Sequence, residues 1–250
     1  MDRSRRKLTL SRLADQEHTC SVSTYLAGQK GEIAMVSEKR QILLEKATAL
    51  FSEHGFQAVG VDWIIRDSGV VRMTLYRHFA GKDELIREVL LQRHRHIFES
   101  IELKMRHITD PRARLKSIFT WYQSWFCTPE FAGCLFERAL AEFGTKRPLI
   151  SDTAVNFRNS MTDLMVGILQ ETVPASSAKR LAHIFMMLLD GATVEARATN
   201  KPNSAAAAWA SAEKLLEYET SKNSMVPSSR GSGHPHRAKK MAQKTPKRKA

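Results

Sequence analysis

The sequence predicts an all-α fold of about nine helices. No segment alternates apolar and polar residues over a strand's length, apolar residues recur at helical spacing through the middle of the chain, and prolines cut its later part into helix-length pieces. The first helix starts near Ser37, a good N-cap, and sets Ile42, Leu43, Ala47, Leu50 and Phe51 on one face before Gly55 stops it. A second, short helix spans about Val61 to Ser68 and ends at Gly69. A third spans about Arg72 to Phe79 and ends near Gly81. A long fourth runs from Lys82 to about Arg106, with Leu85, Ile86, Val89, Leu90, Ile97, Phe98 and Ile101 as its apolar stripe. Asp110-Pro111, Thr128-Pro129, Arg147-Pro148, Val173-Pro174 and Lys201-Pro202 then mark five further helices, at 111–127, 130–142, 148–171, 175–199 and 203–219. In each pair the proline ends one helix and suits the first turn of the next.

Composition excludes several classes. The chain has 250 residues, 42% hydrophobic and 26% charged, as in ordinary globular proteins. The apolar run Ile184–Leu189 is far too short to span a bilayer. The basic start at Arg3, Arg5, Arg6 and Lys7 leads into polar residues rather than the apolar core of a secretory signal, so a cytoplasmic protein with no membrane partner is expected. Three cysteines, Cys20, Cys127 and Cys134, make no disulfide framework. No Ser/His/Asp set, carboxylate pair, Cys/His cluster or glycine-rich phosphate loop has the spacing of a catalytic or cofactor site. His94 and His96 stand two apart on a helix and face apart, which argues against a metal. The expectation is no enzyme, no cofactor and no metal. The net charge of +13 is itself weak evidence for nucleic acid, because nine basic residues and no acid lie in 221–250 while the middle of the chain is close to neutral.

Four regions follow: an arm at 1–36, a small helical head at 37–83, a larger helical body at 84–219 and a basic tail at 220–250. The arm and tail have no apolar face to bury and are expected to be disordered. In the head, two short helices joined by a turn at Gly69 and leaning on a first helix form a helix-turn-helix, whose second member enters the major groove with its N-terminal side chains at base edges.

The residues of that head are distinctive. Ile42-Leu43, Ala47, Leu50-Phe51, Gly55-Phe56, Val61, Ile64, Gly69-Val70, Thr74-Leu75-Tyr76, His78-Phe79, Lys82 and Leu85 stand in one register from Glu38 to Leu90. This stretch closely resembles the DNA-binding domain of the TetR/AcrR family of transcriptional regulators. The resemblance covers about a fifth of the chain and implies roles for particular residues. Arg72, Met73 and Thr74 match the start of the recognition helix. There Arg72 suits guanine O6/N7 and Met73 a thymine methyl. Tyr76, His78 and Lys82 match phosphate contacts, and Arg77 is a further phosphate or base contact. Each has a plainer reading. Tyr76 packs on the first helix, His78 is a satisfied surface imidazole, and Lys82 is a solvated cation beside Asp83. The chain departs from the family at Gly60 and Val71, where a capping Ser or Thr is usual, and at Ile65 in place of a common Ala.

In the body, Leu189-Asp190-Gly191-Ala192 and the Ala-rich last helix resemble the family's dimerisation helices. They imply an isologous homodimer through Phe185, Leu189, Ala192, Ala208, Ala212 and Leu216, with a monomeric core as the alternative. Gly133-Cys134-Leu135-Phe136 and Ala141-Glu142-Phe143 are similar to a GCxF…AEF pattern of TetR-like regulatory domains. An aromatic and Met-rich set, Trp121, Tyr122, Trp125, Phe126, Cys134, Phe136, Met161, Met165 and Met186, is the candidate lining of a pocket for an apolar small molecule, with ordinary core packing as the alternative. The function expected is a sequence-specific regulator of a double-stranded DNA operator, a repressor released by an effector. The alternative is a non-specific nucleic-acid binder driven by the basic tail.

Overall fold

The computed structural model describes residues 38–224. The expected N-terminal arm, and the basic tail beyond Ser224, lie outside the described residues. Among the described residues there are nine α-helices and one 3₁₀ turn, and no strand.

The head contains α1 (38–54), α2 (Val61–Ser68) and α3 (Arg72–His78). Phe51, Phe56, Ile64, Leu75 and Phe79 are fully buried among them, and the Phe51 and Phe56 rings lie 5.0 Å apart. Gly69 caps α2 at φ 66°, its N–H bonding the Ile65 carbonyl at 3.1 Å. A Cβ there would touch nothing, so the demand for glycine is conformational rather than steric. Both caps that lack the family's hydroxyl behave as expected. Gly60 and Val71 sit at the N-caps of α2 and α3 without side-chain hydrogen bonds.

The long α4 (Lys82–Met105) belongs to both halves of the molecule. Its first turns face α1, where Arg40 bonds Glu88 at 2.5 Å and Gln92 bonds Gln41 at 2.9 Å. Its later turns pack on α5 (Pro111–Phe126) and α7 (Pro148–Leu169). Pro111 occupies the first turn of α5, and the Asp110 carboxylate accepts from the Ala113 N–H at 2.7 Å, a regular N-cap. Around α7 and α5 lie α6 (Leu135–Phe143), α8 (Ala175–Thr199) and α9 (Ser204–Ser224). Phe119 of α5 meets Phe185 of α8 at 6.0 Å and Trp209 of α9 at 5.3 Å, and Phe136 stacks on Phe157 at 3.8 Å. The Phe56 and Phe143 rings, 5.8 Å apart, join the head's core to the body's.

Two boundaries differ from expectation. The helix expected at 130–142 starts only at Leu135. Gly133 holds φ at +93° beneath the Arg197 side chain, and that left-handed residue prevents a helix from propagating out of Pro129. The helix expected at 203–219 continues to Ser224. Its last turns are held because Glu219 accepts from Ser177 at 2.8 Å and Arg180 at 2.5 Å.

Candidate functional site

The candidate DNA-reading residues form the outer side of α3 and its flank. Leu75 and Phe79 point into the core, which leaves positions 72, 73, 76 and 77 on the opposite side. Met73 is 73% exposed and Tyr76 45% exposed. Thr74 is half-buried in the first turn. The Arg72 guanidinium pairs with Asp62 of α2, both side chains being well exposed. Such a pair contributes at most about 1 kcal/mol, so exchange of Asp62 for another acceptor is inexpensive. His78 is half-buried, and its imidazolium is disfavoured first by burial and then by Arg40 and Arg77, so the ring is neutral at pH 7. Lys82 turns its ammonium toward the Gln57 carbonyl at 3.4 Å, with Asp83 and Glu142 as its acidic neighbours. Burial lowers its pKa against those two charges.

A cavity of about 740 Å³ opens between α1, α4, α5 and the 128–134 loop. Trp121, Tyr122, Trp125, Phe131, Phe136 and Phe157 line one side; the other is a polar wall from the head's α1, including Gln41, Thr48 and Ser52. Five of the expected lining residues are there: Trp121, Tyr122, Trp125, Cys134 and Phe136. Met186 instead lines a small void beneath it, of about 10 Å³, with Tyr122, Glu137, Arg158 and Asp190. Phe126, Met161 and Met165 line neither space, since they are buried among the helices. Helical spacing marks a buried stripe but does not distinguish core from pocket wall. Burial and the nearby Glu137 push the Cys134 thiol up to about 12, so it is un-ionised at neutral pH.

Comparison with known proteins agrees with this architecture. A family signature described as "Bacterial regulatory proteins, tetR family" matches residues 43–89, and one described as "Tetracyclin repressor-like, C-terminal domain" matches 111–212, together more than half of the chain. This chain belongs to the TetR family. An activator, FasR of Mycolicibacterium smegmatis, is 35% identical over 80 residues, 32% of this chain and 36% of FasR. A repressor, KstR2 of Mycobacterium tuberculosis, is 35% identical over 88 residues, 34% of this chain and 42% of KstR2. The chain thus matches less than half the length of these two relatives. Among solved structures, the TetR-family regulator SCO4454 of Streptomyces coelicolor superposes with a TM-score of 0.69 at 26% identity, covering 74% of this chain and 97% of that one. A TetR-family regulator from Agrobacterium tumefaciens gives 0.65 at 19% identity, covering 74% and 99%, a likeness of fold.

Two features of this TetR-family chain depart from or exceed the sequence reading. Phe185, Leu189, Ala192, Ala208, Ala212 and Leu216, expected on a dimer face, are all buried within a single copy of the chain. Their stripe fills the core against α5, which puts Met187, Val194, Leu215 and Tyr218 on the outer surface of α8 and α9. The sequence reading also missed a clamp between body and head. Arg138 of α6 donates to the carbonyls of Phe51 and Ser52 at 2.8 and 2.9 Å, at the C-terminal end of α1. Glu142 accepts from the N–H groups of Phe56 and Gln57 at 3.1 and 2.8 Å. A Cβ on Gly55, at φ +89°, would lie 2.8 Å from the Glu142 carboxylate, so this glycine is required both by conformation and by the clamp. Glu142 was visible as part of the AEF pattern, but nothing in the sequence tied it to residues 85 positions earlier.

Proposed function

We propose that this protein is a cytoplasmic, homodimeric repressor that binds a two-fold operator through α3 and is released by a small molecule bound in the cavity. One observation carries the DNA-reading half. The outer side of α3 holds an exposed methionine, an exposed tyrosine and an arginine whose one ion pair among the described residues is solvent-exposed, while its inner side is fully buried. An apolar Met side chain held in solvent beside a guanidinium suits a thymine methyl beside a guanine. Tyr76, Arg77, His78 and Lys82 would fix register on phosphates. The rows Met187, Gly191, Val194 and Ala207, Ser211, Leu215, Tyr218, exposed along α8 and α9, are the surface we assign to the dimer. Repression is the reading favoured by relatives such as KstR2, a repressor, although FasR is an activator.

The cavity supports release because the head itself forms one of its walls. An occupant pressing on α1, or on the loop that leads into α6, would disturb the Arg138 and Glu142 clamp and reorient the head relative to the dimer. Gel-shift titration of a DNA fragment selected by the full chain tests the DNA-reading part. Arg72→Ala with Tyr76→Ala is expected to abolish the specific complex, whereas Lys82→Ala weakens binding to all sequences and lowers the salt dependence. Unchanged specific binding by the double variant would refute the assignment.

A further inference from the structure

Arg93 is the exception among the half-buried arginines of the described residues. Arg40, Arg87, Arg114 and Arg158 each pair with a carboxylate, and Arg138 donates to two carbonyls. Arg93 lines the cavity and has neither ion pair nor hydrogen bond with a described residue; its one specific contact is the face of Trp125, 5.5 Å away. Burial destabilises its charge enough to lower its pKa, and the two groups that oppose this, Cys134 and Tyr122, are both neutral at pH 7. Tyr122 is buried, borders the same cavity and likewise has no hydrogen bond among the described residues. Arg93 thus brings an unpaired set of donors to an aromatic-walled space that Tyr122 also borders. A half-buried cation over one indole is only partly compensated, and a planar carboxylate supplies what is missing.

We propose that the cavity takes a monoanionic small molecule, a carboxylate on a flat apolar body, with its carboxylate between Arg93 and the Tyr122 hydroxyl and its body against Trp121, Trp125 and Phe136. The volume suits a ligand of that size. The acidic residues at the cavity, Glu45, Glu53 and Glu130, are solvent-exposed and none pairs with Arg93. They set a second rule instead: an occupant with several negative charges is repelled at the mouth. The ligand class therefore excludes polyanions on one side and cations on the other.

The inference rests on the reading of this cavity as the effector site, and the test separates the two. Isothermal titration of the full chain would compare 2-naphthoate, cinnamate and indole-3-acetate with their primary amides, and with 2-naphthylmethylamine and benzene-1,3,5-tricarboxylate. At least one monocarboxylate is expected to bind at least about tenfold more tightly than its amide, and the amine and tricarboxylate more weakly than either. Arg93→Met is expected to erase the preference for carboxylate over amide while keeping the amide's affinity, which shows that the variant is folded. Arg93→Lys, which keeps the charge but not the bidentate fork, should retain only part of it. Absence of binding by every carboxylate, equal binding of carboxylate and amide, or a preference that survives Arg93→Met would overturn the inference. A carboxylate that binds through Arg93 but leaves the DNA complex intact upholds this site and contradicts the effector reading. Release of DNA by a compound indifferent to Arg93 does the reverse.

Discussion

Val71 precedes α3 with an extended backbone and no side-chain hydrogen bond, so α3 begins with its first N–H groups uncapped by the Val71 side chain. The side chain is exposed and packs on little, which makes Val71→Ser a substitution with much to gain. It is expected to stabilise the protein by about 1 kcal/mol and to raise Tm by about 2–4 °C in thermal unfolding, without a change of fold. A second residue sets the pH response. Glu137 of α6 is mostly withdrawn from water beside Asp190, which itself pairs with Arg158 at 2.7 Å. Burial first, then the Asp190 charge and a hydrogen bond to it, push the Glu137 carboxyl up to about 8 against the opposing pull of Arg158 and Arg197. The folded protein therefore holds a proton there that the unfolded chain gives up at about 4.5. Stability from this group is complete below the unfolded value and is lost as pH rises toward the folded one. Wild-type Tm is expected to fall between about pH 5 and pH 8 by more than in Glu137→Gln. The glutamine keeps a donor for Asp190, and the variant should be the more stable of the two at pH 8.

Between elements, the contact that matters most for coupling is α6 against the end of α1. Arg138 and Glu142 together bond two carbonyls and two N–H groups at the end of α1, where the Phe51 carbonyl also accepts from the Gly55 N–H at 3.0 Å. Removing the carboxylate in Glu142→Ala leaves the N–H groups of Phe56 and Gln57 to water, an expected cost of about 1 kcal/mol, read as a lower midpoint in urea unfolding. If the clamp transmits effector binding to the head, the same variant should also respond more weakly to effector in a DNA-release titration. The helices themselves were largely legible from sequence. Apolar spacing placed α1 to α4, and prolines placed the starts of α5, α7 and α8, because both signals act within a few residues. What failed was the start of α6, where a glycine backbone conformation outweighed the proline. The end of α9 failed as well, because α8 partners found only in three dimensions extend it. The clamp was illegible for the same reason. It joins residues some 85 positions apart and uses polar groups that look like surface residues in sequence.

Seen together, head, cavity and outer α8–α9 surface follow one chain of α-helices in which α4 is shared by both halves. The helix-turn-helix was legible because it concentrates its signal in a short window. Half of the cavity was not, since α1, α4 and the 128–134 loop meet only on folding and Arg93 sits in a run, Arg93-His94-Arg95-His96, that looks solvated throughout. The stripe expected on a dimer face is instead buried in the chain's own core, because α8 and α9 carry apolar residues on two sides and spacing alone does not say which side meets that core. The proposed reading of a two-fold DNA site through paired α3 helices can be checked by selecting sequences from a random double-stranded pool with the full chain. An enriched inverted repeat is expected, with half-sites centred about one helical turn apart, or a multiple of it. Recovery of no preferred sequence, or of a site without two-fold symmetry, would contradict it.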